Sequence, residues 1–293
     1  MIDNLRIAIS NKGEFESNIL NNNILTLKST LDYNTGEIAE YPKKGKYENL
    51  DIRISSERAT IVGSIHKYFN MLFKKGNQNY NDFTIFDLRH SLQQLRAIFG
   101  LHHKTAINAL EMGFNLEMEQ DPQTYIDNNI LMYDLKHHNI DRLKSQGDFK
   151  RFDRTDYSLK IYNKSKQFQT AKNLLRIEIR ITSKRLLHKL RVHEMEDLSD
   201  AIVLKGIFQF LMNKFEKVII VDRVNEVLIP PSDVEKLNKY TNPNYWKRIK
   251  SEKSYKVIRR LNKDFERILN KYRLNTLKNR LRDELHQKFL ELT

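Results

Sequence analysis

Apolar and polar residues alternate with the period of a β-strand in two neighbouring stretches of this chain. In LLRIEIRIT (174–182), Leu175, Ile177, Ile179 and Ile181 share one face, while Arg176, Glu178, Arg180 and Thr182 share the other. In the preceding stretch, Tyr157, Leu159 and Ile161 alternate with Ser158, Lys160 and Tyr162. Thr105 to Met118 predicts a third long strand, with Leu110, Met112, Phe114 and Leu116 opposed to Glu111, Gly113, Asn115 and Glu117. LDIRIS (50–55) and ATIVGS (59–64) predict a hairpin closed by a tight turn. The first fifty residues are polar and turn-rich, with short β-prone pieces at Leu5–Ser10 and Ile24–Leu31.

Helical spacing appears elsewhere. Thr84 to Gly100 reads as an amphipathic helix with Thr84 as N-cap, Asp87 in capping-box position and Gly100 as its close. Leu198 to Phe215 is helical in period, Lys217–Val221 reads as a further strand, and PPSD (230–233) breaks the chain. Long charged helices are expected from Asn242 onward, the last from Asn275 to Leu292. The sum is an α+β fold: an antiparallel sheet body with packed helices over 1–225, which can comprise two α/β halves, then a basic helical region over 226–293.

Charge sharpens this picture. The net charge is +14, and residues 241–293 hold 15 Lys/Arg against 6 Asp/Glu. Such an excess suits a polyanion, most simply nucleic acid, through counterion release; Lys-rich compositional drift is the competing explanation. Cysteine is absent, which excludes disulfides, thiol nucleophiles and Cys-ligated zinc. No GxxxxGK[ST] or GxGxxG occurs, so ATP-driven unwinding and dinucleotide chemistry are not expected. An apolar run of about 18 residues, a signal peptide and a lipidation site are all missing, and a soluble, cytoplasmic protein is expected.

The polar strand faces carry the candidate chemistry. If the strands neighbour one another, Glu111, Glu117 and Glu178 bring together oxygen ligands of the kind that Mg²⁺ or Mn²⁺ prefers. Arg176 and Arg180 flank Glu178 and could grip phosphate, with Lys160 and Lys164 as added point charges. A tyrosine can attack a phosphodiester, and parity favours Tyr162 over Tyr157, whose side chain shares the apolar face. Cross-strand salt bridging on a solvated sheet face would produce the same pattern without any chemistry. In the basic region, Tyr245, Trp246, Lys247 and Arg248, then Arg259 and Arg260, interleave rings with cations as nucleic-acid surfaces do, although the rings would equally serve as packing.

Taken in order, GSIHKYFN (63–70), NYNDFT (79–84), LEMGFN (110–115), LKIYNKSKQF (159–168), LLRIEIRIT (174–182) and MEDLSD (195–200) resemble the rolling-circle replication initiators of single-stranded DNA phages. Filamentous-phage-type replication proteins, and similar proteins of phages and plasmids in Bacteroidetes bacteria, carry comparable motifs. The resemblance covers roughly residues 50–265. It implies a nickase-like fold and an origin-binding protein that nicks and rejoins one strand with a tyrosine nucleophile and an acid-held divalent metal in the bacterial host cytoplasm. A host helicase and polymerase are further implied partners. Lys160, Tyr162 and Lys164 match the family's IYxK strand, Arg176, Glu178 and Arg180 its R-E-R strand, and Glu111 its upstream acidic strand. The chain departs from related plasmid initiators in one respect. Where these place the nucleophilic tyrosine upstream of IYxK, GDFKRFDRTD offers only Phe149 and Phe152 before Tyr157. Tyr162, Tyr157 or a distant tyrosine such as Tyr245 therefore takes the role, or the chain binds DNA without cutting it. An RNA-binding or nuclease-like protein is a third reading.

Overall fold

A computed structural model describes residues 1–138, 149–224 and 228–293. The strands in chain order are β1 (Ile2–Ile9), β2 (Lys43–Tyr47), β3 (Leu50–Ile54), β4 (Ala59–Ser64), β5 (Ala106–Glu117), β6 (Ile130–Tyr133), β7 (Phe149–Asp153), β8 (Tyr157–Asn163), β9 (Leu174–Ile181) and β10 (Val218–Ile220). Eight of them form one sheet in the order β2-β3-β4-β1-β5-β9-β8-β7, and β6 pairs with β10 in a small second sheet. Every described pairing is antiparallel. The helices are α1 (Lys12–Asn21), α2 (Ile65–Leu72), α3 (Ile85–Phe99), α4 (Pro122–Asn128), α5 (Lys164–Phe168), α6 (Lys184–Lys189), α7 (Ala201–Phe215), α8 (Pro231–Tyr240), α9 (Pro243–Glu252), α10 (Tyr255–Lys271) and α11 (Thr276–Leu292). The architecture is thus α+β.

One sheet face is apolar and helix-covered. Phe114 of β5 meets Phe208 of α7 edge-on, and Phe208 stacks on Phe289 of α11 at 4.2 Å. Helix α3 has the capping box between Thr84 and Asp87, and Gly100 closes it in the left-handed conformation at φ 64°. The other face is polar, because each strand places its charged positions there, and it carries the chemistry described below.

The helices after residue 230 divide between two cores. Leu281, Leu285 and Phe289 of α11 join the sheet's own core. Helices α8, α9 and α10 instead build a smaller core with β6, centred on Trp246, Phe265 and Ile268. The expected boundary at residues 225 and 226 itself lies outside the described residues. Among the described residues, no helix is long and apolar enough to cross a membrane.

The β-prone stretch at Ile24–Leu31 does not become a strand. It makes isolated bridges only, Lys28 to Lys44 and Leu31 to Ile38. Leu5–Ile9, by contrast, belongs to a longer strand at the centre of the sheet, and Ser10 lies just beyond its end.

Candidate functional site on the polar sheet face

Strands β5, β9 and β8 are adjacent, so Glu111 stands opposite Arg180, Gly113 opposite Glu178, and Lys160 opposite Glu178 on the far side. A fourth contributor comes from β1. Its register against β5 shifts between Ile2, paired with Met112, and Leu5, paired with Leu110. Two residues, Asp3 and Asn4, therefore oppose the single Glu111, and this bulge turns both toward the polar face. Asn4 donates to Glu111 Oε2 at 2.7 Å, and Asp3 accepts from Arg176 at 2.7 Å. Asp3, Glu111 and Glu178 each bring a carboxylate oxygen within 4.8 Å of the others.

Arg176 is the hub beneath this cluster and is 2 % exposed. Its Nη2 donates to Asp3 Oδ2, its Nε to Glu178 Oε2 at 2.8 Å, and its Nη1 to Asn115 Oδ1 at 3.0 Å. Glycine at 113 makes room for it: a Cβ there would lie 2.7 Å from Glu178 Cβ and 3.0 Å from Arg176 Nη2. Asp3 also accepts from Ser64, and from Asn79 Nδ2 at 2.6 Å. The site's rear wall continues through His66 and Asn70, which both bond Asn81, and His66 stacks on Phe83 at 4.6 Å. The stretches 63–70, 79–84, 110–115, 159–168 and 174–182 thus converge on one polar cluster.

Tyr162 lies at the edge of the cluster. Its hydroxyl donates to Glu178 Oε2 at 3.2 Å and accepts from Lys164 Nζ at 3.4 Å. Asn163 caps α5, so the chain turns into a helix directly after β8 and Lys164 folds back to reach Asn79 Oδ1 at 2.7 Å. Lys160 Nζ sits 4.2 Å over the Tyr162 ring and 4.8 Å over that of Phe149. A depression of about 110 Å³ opens over Glu111 and Glu178, rimmed by Phe149, Lys160 and Arg180.

Electrostatics separates these groups. Burial pushes Glu111 up, reinforced by Glu178 and Asp3, from 4.5 to about 7. Burial would raise Asp3 as well, but Arg176, Lys164 and the Ser64 hydrogen bond outweigh it and hold the carboxyl at about 2. Burial and then Arg176 lower Lys164 to about 7. Burial and Glu178 push the Tyr162 phenol well above its usual value, so it stays protonated until a base takes its proton.

The three carboxylates differ as cation ligands. Both Asp3 oxygens are engaged by Ser64, Asn79 and Arg176, which makes Asp3 a structural anchor. Glu111 and Glu178 border the open depression, and Glu111 keeps only a 3.5 Å pairing with Arg180 on its Oε1. Two carboxylates at an open position fit a small hard cation.

Several expected residues lie elsewhere. Glu117, expected among the metal ligands, is at the outer end of β5, where it pairs with Lys172 at 2.8 Å. Tyr157 has the opposite parity from Tyr162. Its ring packs on Phe210 at 5.3 Å, and its hydroxyl bonds that of Tyr133 at 2.7 Å. Arg176 is too buried to meet DNA, because its guanidinium is spent on Asp3 and Glu178. Trp246 is fully buried and donates its indole N–H to Tyr240 O at 2.7 Å, so it cannot stack on a base. Tyr245 packs edge-on against Trp246 at 5.4 Å. Lys247, Arg248, Arg259 and Arg260 are exposed. On β7, Phe149 stands opposite Tyr162 and rims the depression, whereas Phe152 points into the core. Sequence reading missed Asp3, Ser64 and Asn79; only the bulge at Asp3-Asn4, invisible to a period of two, re-aims the first of them.

No protein-family model matches this chain, and no curated protein matches it. Among solved structures it is similar to the rolling circle replication initiator protein from Geobacillus stearothermophilus, with a TM-score of 0.42 and 12% identity. That match covers 78% of this chain and 91% of that one. A likeness of this size carries no functional argument.

Proposed function

We propose that the chain is a replication initiator that binds DNA and nicks and rejoins one strand through Tyr162. The observation that carries this reading is the placement of the Tyr162 hydroxyl, 3.2 Å from Glu178 Oε2, beside the Glu111–Glu178 depression. A nucleophile within hydrogen-bond reach of a base, next to an opening that holds two carboxylates and the cations Lys160 and Arg180, is an arrangement suited to phosphoryl transfer. The order of the sequence motifs supports the same class.

In the proposed step, Tyr162 Oη forms a bond to phosphorus and the ester bond to one sugar oxygen breaks. Glu178 takes the phenolic proton, and the leaving oxygen takes one from solvent at this open face. Arg180 and Lys160 hold the non-bridging oxygens. Reversal of the step rejoins the strand, because the phosphotyrosyl ester conserves the bond energy. Glu111 and Glu178 would hold Mg²⁺ or Mn²⁺, which when bound supplies charge stabilisation to the phosphate. Arg248, Arg259, Arg260 and Lys247, exposed around the α9–α10 turn, would hold flanking DNA by its phosphates.

The test is incubation with supercoiled DNA carrying the cognate origin and Mn²⁺ or Mg²⁺. Nicked circles with a covalent protein–DNA adduct support the reading; intact DNA throughout excludes it. A second reading, DNA binding without cleavage, is favoured by the partial burial of Tyr162 and its elevated pKa. It predicts salt-sensitive binding and no adduct.

A further inference from the structure

Strands β3, β4, β1 and β5 extend the polar face away from the acid pair and form an open groove of about 810 Å³. Arg6, Arg53, Arg58 and Lys184 line it, and Asp51 is the single acidic residue of its lining. All four side chains are exposed, and among the described residues no carboxylate lies within ion-pair distance of any of them. Arg53 on β3 stands directly opposite Lys44 on β2, on the same face. Like charges directly opposite each other across strands destabilise a sheet. Four cations against Asp51 leave this half of the face with an excess of positive charge that a bound polyanion would neutralise.

The groove lies beside the proposed cleavage site on the same sheet face. Asn4 bonds Glu111, and Arg6 is the next residue of β1 on that face, about 6.6 Å along the strand. That rise is comparable with the step between successive phosphates of an extended single strand. On β9, Arg180 at the acid pair is followed on the same face by Thr182 in the groove. A second register shift, between Arg6 paired with Ala109 and Ile7 paired with Ile107, leaves Asn108 extra on β5, and it too borders the groove.

We propose that this groove is a phosphate track for single-stranded nucleic acid, holding the strand on one side of the scissile phosphate. The proposal rests on the nicking reading for its direction and on the groove's own charge for its existence. A row of cations along a single sheet face suits one strand lying flat, with phosphates down, more than a duplex cylinder.

The experiment measures binding of the full chain to fluorescent oligonucleotides by anisotropy over a salt series, comparing wild type with Arg6→Gln/Arg53→Gln/Arg58→Gln. Losing three phosphate contacts on a single strand lowers the slope of log affinity against log salt by about 2. Oligonucleotides extended past the scissile phosphate on one side gain affinity for wild type and lose that gain in the triple variant. An unchanged slope, or an equal loss for a duplex of the same sequence, overturns the proposal. Adduct formation is scored separately. Adducts with an unchanged slope sink the track and leave nicking standing, and a reduced slope without adducts does the reverse.

Discussion

Replacing Glu111 by Gln should stabilise the protein at alkaline pH, and the size of the effect follows from the site. Glu111 is 9 % exposed and lies within carboxylate range of Glu178 and Asp3, which raises its pKa from 4.5 to about 7. A carboxyl raised on folding binds its proton more tightly in the folded chain. Stability is therefore full below the unfolded value and is lost as pH rises through the folded one. The gap between 4.5 and about 7 corresponds to roughly 3 kcal/mol above neutrality. Glutamine keeps the shape and can still accept from Asn4, but never ionises. Urea unfolding should show Glu111→Gln more stable than wild type by up to about 3 kcal/mol near pH 8, and by less than about 1 kcal/mol near pH 5. Added Mn²⁺ should narrow the gap by stabilising the wild type alone, since a ligand that binds the folded state raises its stability. A variant that is destabilised at both pH values would refute the reasoning, because Glu111 would then be a structural partner rather than a strained carboxylate. Such strain is typical of sites kept for function at the expense of stability.

Two further substitutions probe the hub. Arg176→Met leaves Asp3 and Glu178 without their shared partner and should cost about 3–5 kcal/mol near neutrality. Asp3 sits at about 2, below its ordinary 3.8, so its stabilisation is present above the ordinary value and lost as pH falls through the lower one. The deficit of Arg176→Met should accordingly shrink on acidification in a pH series of denaturant curves, and a pH-independent deficit would contradict the assignment. Gly113→Ala forces a Cβ to within 2.7 Å of Glu178 Cβ, which should cost about 1–3 kcal/mol and displace the base from Tyr162. Wild-type stability together with wild-type adduct yield in that variant would show that glycine is not needed there.

Much of this site was legible from periodicity. The parity of β5, β8 and β9 separated Glu111, Glu178, Lys160 and Tyr162 from the apolar positions, and it assigned Tyr157 to the other face, where it packs on Phe210. The adjacency of those strands was not legible, because one chain carries no pairing information beyond short hairpins. Asp3 was hidden by the bulge that places two successive β1 residues on one face. Arg176 looked like a phosphate ligand because alternation reports the face and not the depth, and Gly113 lets the guanidinium sink to 2 % exposure. Trp246 read as a basic-region aromatic for a similar reason. Charge marks the surface of α9, but the three-helix core it packs into depends on contacts with Tyr240 of the preceding helix and with Phe265, nineteen residues on.

Peptide mass spectrometry of the protein after reaction with origin DNA and Mn²⁺ tests the central claim most directly. The account predicts a nucleotide adduct on Tyr162 and none in Tyr162→Phe, with the variant still folded and still binding DNA. An adduct on any other tyrosine, an adduct that survives in Tyr162→Phe, or no adduct at all would contradict it.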